Sequence, residues 1–339
     1  MKFVTRFSII LFVLGFLSSG MLAGEEKEME IKQKVGGTVQ SWVSYQQGDS
    51  VNSVGFGLRR VRVRYYATIN TKFKAFVQAD LTSNSLAGKL LDARIEYHFS
   101  PQFNIRAGRF VGAGVRSGGL TSHTAIDIIE RAYSAIRWGS GTIGGDYRDF
   151  GVQAEAKAGD ATARLFLHNG NGGLNVLNRA GGTATTEFTS KAVTAMGILA
   201  PKSIKGLEVG GHYGMGNDDV KDWSSFSGYA YFEPGPIRLK AEVIGLTSKP
   251  ETGDVTSMGY YIFGGYQVTP NVELVGRFET YDPDTDVDEN AINFITLGVV
   301  FKEFSGKVNH KLTGAVVLPS EQGTSVDNTT AYAMWQLVF

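Results

Sequence analysis

From about residue 34 onward the chain alternates apolar and polar positions in short runs. Gly55 to Ile69, GFGLRRVRVRYYATI, sets Val61, Val63, Tyr65, Ala67 and Ile69 on one parity and Arg60, Arg62 and Arg64 on the other. Successive side chains of a strand point to opposite faces, so this segment predicts a strand with one dry and one charged face. KFKAFVQADL repeats the pattern, with Phe73, Ala75, Val77, Ala79 and Leu81 against Lys72, Lys74, Gln78 and Asp80. LLDARIEYHF sets Leu91, Ala93, Ile95, Tyr97 and Phe99 against Asp92, Arg94, Glu96 and His98. FGVQAEAK and PIRLKAEV follow suit, whereas the stretches near 187–199 and 223–232 are less decisive.

Sixteen strands are predicted in this way, near 34–46, 54–69, 72–82, 89–99, 102–111, 147–157, 160–169, 187–199, 206–214, 223–232, 237–247, 256–267, 271–281, 291–301, 307–318 and 329–339. Many have the ~9–11 residues that a tilted strand needs to cross a bilayer. Every second connection is tight, as at Asn70-Thr71, Ser100-Pro101 and EPGP, and those between are mostly longer. Short turns on one side and longer loops on the other are the pattern of outer-membrane barrels. The last strand, TAYAMWQLVF, carries Ala331, Ala333, Trp335, Leu337 and Phe339 on one face and resembles the terminal strand of such barrels. The predicted fold is therefore all-β: a transmembrane antiparallel β-barrel of sixteen strands. In that barrel Val61, Val63 and Tyr65 face lipid and the arginines face the lumen. The opposite register would cost roughly 2–4 kcal/mol for each Arg near the midplane.

One connection differs from the rest. Gly112 to Asp146 separates the fifth and sixth strands and is the third long loop. Loops beyond about 12–15 residues are uncommon and often functional. We expect this one to fold into the lumen as a constriction, presenting Arg116, His123, Asp127, Glu130 and Arg131. The alternative is a further strand at Arg131 to Trp138, which would break the short–long alternation.

Composition fits many strands and turns: Gly 43, Pro 8 and 12% aromatic residues. Charge is balanced, at a formal net +0, without the basic excess usual for a nucleic-acid partner. The chain has no Cys, hence no thiolate metal site and no disulfide. After the first segment no apolar run is long enough for a membrane helix. Lys2 and Arg6 precede an apolar run from Phe7 to Leu17 and small residues to Gly24. This predicts a signal peptide over 1–23, cleaved near Ala23, then a charged lead-in over 24–33 and the barrel over 34–339. Such a chain is expected in the outer membrane of a Gram-negative-type cell.

GFGLRRVRVRYYATI, KFKAFVQADL, LLDARIEYHFSPQFNIRAGRF, IIERAY and YRDFGVQAEAKAG together resemble the phosphate-selective porin O and P family, over roughly residues 54–159. The resemblance implies a trimeric channel with a basic lumen that passes anions. The family's arginine-rich second strand matches Arg59, Arg60, Arg62 and Arg64. The neutral overall charge departs from what a dedicated phosphate channel would carry, so phosphate-type anions are one class of solute among several.

The alternation assigns Arg60, Arg62, Arg64, Lys72, Lys74, Arg94 and Arg106 to the lumen as an anion path, with inward bases modestly outnumbering inward acids. The competing reading is a field-shaping row opposite an acidic loop in a weakly selective porin. No catalytic set is recognisable: the five His are scattered and there is no Gly-x-Ser-x-Gly elbow. DPDTDVDEN fails as a calcium loop, because the positions needing Gly and Glu hold Val287 and Asn293. No cofactor and no metal are expected. The expected partners are outer-membrane lipid, small anions or other small solutes, and two further copies of the chain. A barrel hydrolase and a plugged adhesin or structural barrel are the rivals of another class. Membrane-extracted protein should begin near Glu25 on N-terminal sequencing; an intact Met1 would reject the signal peptide.

Overall fold

A strand in lipid must satisfy every backbone donor and acceptor within the protein, which an open sheet edge cannot do. In the computed structural model the edges meet. The structure describes residues 30–48, 51–82, 89–172, 191–217, 221–305, 308–322 and 328–339. The expected signal segment 1–23, most of the lead-in and residues 187–190 of the eighth expected strand lie outside these residues. The first half contains β1 (Ile31–Gln46), β2 (Ser53–Ile69), β3 (Phe73–Asp80), β4 (Lys89–His98), β5 (Phe103–Phe110), β6 (Asp149–Ala158), β7 (Ala161–His168) and β8 (Lys191–Leu199). The second contains β9 (Leu207–Asn217), β10 (Asp222–Phe232), β11 (Ile237–Lys249), β12 (Val255–Thr269), β13 (Val272–Asp282), β14 (Ile292–Ser305), β15 (Val308–Glu321) and β16 (Thr330–Val338). Each strand pairs antiparallel with the next and β1 pairs with β16, closing a sixteen-stranded barrel.

One local expectation is corrected and one alternative falls. β1 starts at Ile31, inside the span assigned to the lead-in, because Ile31 to Lys34 pair with Ile69 to Tyr66 down to the turn at Asn70. Residues 131–138 are not a strand: Tyr133–Gly141 form an α-helix, α1, within the long connection. At the seam, Gly37 and Phe339 exchange backbone hydrogen bonds of 2.8 and 3.1 Å. A Cβ on Gly37 would lie 2.4 Å from the Phe339 ring, so a side chain there would have to displace that ring.

The outside is apolar. On β12, Met258, Tyr260, Ile262 and Tyr266 are exposed while Tyr261 and Phe263 between them are buried. Strict alternation with apolar residues outward is what lipid contact selects. Exposed Phe99, Phe103, Phe232, Tyr266, Phe301 and Phe339 gather towards the tight-turn rim, and the rings of Phe73, Tyr97, Phe99 and Phe103 form a chain of contacts 4.6 to 5.4 Å apart. Aromatic side chains favour the level of the headgroups.

β-Bulges on β2 and β4 shift the phase of the inner face. Gln40 pairs with Arg60 and Ser41 with Leu58, so Arg59 is the extra residue on β2. The bulge turns Arg59 and Arg60 both inward and restores Leu58 and Phe56 to the exposed outer surface. On β4, Gln78 pairs with Asp92 and Ala79 with Leu90, leaving Leu91 unpaired. Leu91 therefore faces inward beside Asp92, not outward as strict alternation predicts, and Leu90 takes the outer position. Arg109 donates to the carbonyl oxygens of Leu90, at 3.2 Å, and of Leu91, serving acceptors that the bulge removes from the ladder.

The register makes a direct demand on β2. Val63→Arg should impair insertion or folding by roughly 2–4 kcal/mol, because the new charge faces lipid. Arg62→Gln on the opposite face should insert normally. Heat-modifiable mobility of the two refolded variants checks this; the reverse result would mean a register wrong by one residue.

Candidate functional site

The connection between β5 and β6 enters the barrel and packs on one side of it. Its entry is tight: a Cβ on Gly112 would lie 2.2 Å from the Phe166 ring. Ile128, Ile129, Ala132, Ala135 and Trp138 of the loop share one buried cluster with Tyr229, Tyr231, Ile244, Tyr261 and Phe263 of the wall. Polar anchors surround that cluster. The Glu242 carboxylate accepts the backbone N–H groups of Arg116 at 2.7 Å and Ser117 at 2.9 Å, where a short kinked turn, Arg116–Leu120, begins. The Glu279 carboxylate accepts the N–H of Tyr133 at 2.7 Å, at the first residue of α1. Neither segment has a side-chain cap from its own preceding residue, so wall carboxylates supply the caps. Gln153 accepts the N–H of Ala113 at 2.7 Å. Arg116 pairs with Glu208 at 2.7 Å, Asp127 pairs with Arg238 and with Lys240 at 2.8 Å, and Lys311 donates to the Ile126 carbonyl at 2.5 Å.

The other side of the loop leaves a cavity of ≈ 670 Å³ against the inner faces of β2, β3 and β4. Eight basic and four acidic side chains line it. Cross-strand pairing sets them in rows. Arg62 lies opposite Asp80, and its Nε donates to that carboxylate at 2.8 Å. Arg64 lies opposite Gln78 and Gln78 opposite Asp92. Tyr66 lies opposite Phe76 and Phe76 opposite Arg94. Arg60 donates to Gln40 at 2.9 Å, and Gln40 donates to Gln336 at 2.6 Å. Arg64 donates to the Gly37 carbonyl at 3.1 Å and to the Thr38 hydroxyl at 2.9 Å.

The loop faces this row with mixed charge. Glu130 takes a two-point bond from Arg59, at 2.5 and 2.8 Å. Arg131 turns back onto the carbonyls of Ser117, at 2.7 Å, Gly118 and Thr121, at 2.7 Å, so it holds the loop's own shape. His123 lies 3.2 Å from the Thr38 hydroxyl, and its carbonyl accepts from Gln40. Burial, then the charges of Arg62, Arg60 and Arg64, push the His123 imidazole down to about 2, so it stays neutral.

The residues expected from the sequence divide accordingly. Arg60, Arg62, Arg64 and Arg94 line the cavity together, with His123, Glu130 and Arg131 of the loop. Arg116 and Asp127 face the far wall as anchors. Arg106 is inward but outside the cavity, 3.4 Å from Glu155, which Arg164 also binds at 2.8 Å. Lys72 sits in the turn after β2 and Lys74 is exposed at the start of β3; neither lines the cavity. The sequence reading missed Arg148, which binds Asp92 at 2.7 Å, and Asp146, which joins Arg109 at 2.7 Å and Lys89 at 2.8 Å. The run of charge in DYRD just before β6 was the available signal.

An acid, an imidazole and a hydroxyl do line up elsewhere. His168 Nδ1 lies 2.7 Å from Asp149, and its Nε2 lies 3.0 Å from the Thr194 hydroxyl. The Asp149 and His168 side chains are 0% exposed, and Asp149 also accepts the N–H groups of Phe150 and Gly170. No substrate reaches this trio in the described arrangement, and it acts as wall packing.

No family model matches the sequence, and no curated protein sequence matches it. The fold has many counterparts among solved structures. The anion-selective porin from Comamonas acidovorans superposes with a TM-score of 0.67 at 14% identity, covering 91% of this chain and 99% of that one. The outer membrane channel DcaP of Acinetobacter baumannii gives 0.62 at 12%, covering 94% and 100%. The in-vitro folded OmpT of Vibrio cholerae in its trimer form also gives 0.62 at 12%, covering 91% and 99%. At these identities the likeness is one of fold, a closed antiparallel β-barrel.

Glu242→Ala should release the loop from the wall. Unpairing the Arg116 and Ser117 N–H groups costs about 1–3 kcal/mol for each buried donor. The expected result is a larger and noisier single-channel conductance in a barrel that still migrates as folded. A conductance equal to wild type would show that the loop does not limit the aperture.

Proposed function

We propose that this chain is a passive diffusion channel of a Gram-negative-type outer membrane, working as a homotrimer and favouring small anions. The observation that carries the reading is the separation of charge inside the barrel. Carboxylates Glu208, Glu242 and Glu279 on one wall are occupied by the loop, while Arg59, Arg60, Arg62 and Arg64 line the open side. A guanidinium has five N–H donors, and Asp80 takes one from Arg62. The remaining donors can replace part of a passing anion's hydration. Low-dielectric walls focus the field of this row into the aperture. The aqueous contacts stay weak enough for release, which conduction requires. Proteins that share the fold include an anion-selective porin and an outer membrane channel, which agree with this reading, and the trimer form of a third agrees with the assembly.

Phosphate-type anions belong to the proposed range without being its defining member. The ion pairs Arg59–Glu130 and Arg62–Asp80 moderate the row, and this favours a mild bias as the second reading.

The test is the zero-current potential across a KCl gradient. A unit charge at ~8 Å in water is worth about 0.5 kcal/mol. Arg62→Gln should therefore lower the chloride-to-potassium permeability ratio by a factor of about 5, because chloride loses this attraction and potassium loses the matching repulsion. Arg62→Glu should lower it further, because Asp80 then faces a second carboxylate. Identical potentials for all three proteins would make the row structural and overturn the anion path.

A further inference from the structure

The arginine row ends on an aromatic one. Two residues beyond Arg64, on the same inner face of β2, stands Tyr66. Its ring lies 4.6 Å from that of Phe76 on β3, tilted by 36°. The Arg94 guanidinium covers Phe76 at 4.7 Å from the ring centroid. Arg94, Phe76 and Tyr66 thus form one stack across three adjacent strands, closed at one end by the guanidinium and open at Tyr66, which is 37% exposed. Aqueous lumen surface gives no reason to place Phe and Tyr side by side, and lipid contact is on the opposite face. A second observation adjoins the stack. Arg64 forms no ion pair among the described residues, and its buried Nε has no acceptor there. Its other contacts are a carbonyl and a hydroxyl, which leave its charge uncompensated.

We propose that Arg64 and Tyr66 form a subsite for aryl carboxylates, the guanidinium taking the carboxylate and the tyrosine ring taking the aryl face. Along a strand the two residues stand roughly 7 Å apart, within reach of one small molecule that carries both groups. Phe76 fixes the tilt of Tyr66, and Arg94 holds Phe76. This inference rests on the proposed anion channel and names its preferred organic solute.

The experiment uses the purified trimer in planar bilayers. Phenylacetate and acetate carry the same charge and differ by the ring. Each is titrated against the chloride current, with inorganic phosphate as a third probe. Phenylacetate should reduce the current at about one tenth of the acetate concentration, equivalent to about 1.4 kcal/mol. Phosphate should do no better than acetate. Tyr66→Ser should bring phenylacetate and acetate to the same half-blocking concentration, whereas Tyr66→Phe should keep most of the difference. Arg64→Gln should weaken both acids. Equal block by the two acids in wild type, or an undiminished difference in Tyr66→Ser, overturns the subsite and leaves the anion channel standing. A wild-type channel with no preference for chloride over potassium overturns the anion-channel reading itself, and the subsite with it.

Discussion

Backbone N–H groups carried into the interior of a barrel must find acceptors, and here the acceptors are carboxylates of the wall. Glu242 receives the two donors that open the turn at Arg116, and Glu279 receives the first donor of α1. A helix start carries partial positive charge, so an anionic acceptor suits it better than a neutral one. These contacts do what an N-cap does in a soluble helix, but from residues more than a hundred positions away in sequence. They place the loop on one side of the barrel, and the position of the cavity follows from that placement.

The same arrangement decides the electrostatics. A chain of balanced overall charge acquires a one-sided interior because its acids and bases are employed differently. Asp127, Glu208, Glu242 and Glu279 are engaged at the contact between the loop and the wall. The arginines of β2 lie opposite, where Asp80 and Glu130 offset only part of their charge. The bulge at Arg59 enlarges the effect by turning two consecutive arginines inward, and Trp42 supports the extra one with a ring centroid 5.4 Å from its guanidinium. The bulge at Leu91 works in the other sense, bringing an apolar side chain to a polar wall and asking Arg109 to serve its carbonyls.

Strand number, strand order and the inward course of Arg60, Arg62 and Arg64 were legible because lipid tolerates only one register. The strand at 223–232 was hard to read for a reason now visible. Tyr229 and Tyr231 face inward and are buried by the loop, so both faces of β10 are aromatic and the alternation fades. Leu91 was assigned to the wrong face because a bulge leaves no simple mark in an alternating run. Lys72 and Lys74 had the right parity, but parity does not give depth, and they lie at the turn end of the wall. Asp146 escaped notice because it closes a long connection, beyond the reach of any strand period, and Arg148 because the strand expected from 147 gave it the outward parity, whereas β6 begins only at Asp149.

What the sequence determined by itself is whatever depends on a period of two residues and on the contrast between lipid and water: the strands, their faces and the closure they force. Both are local, since each position is sorted by its own side chain. Which wall the loop leans on, and so which charges remain free, was decided only by tertiary structure. Capping Arg116 from Glu242, or pairing Asp127 with Lys240, joins residues through space across the interior. No periodicity records such a contact, because its free energy exists only once both partners have been brought to the same depth of the same barrel.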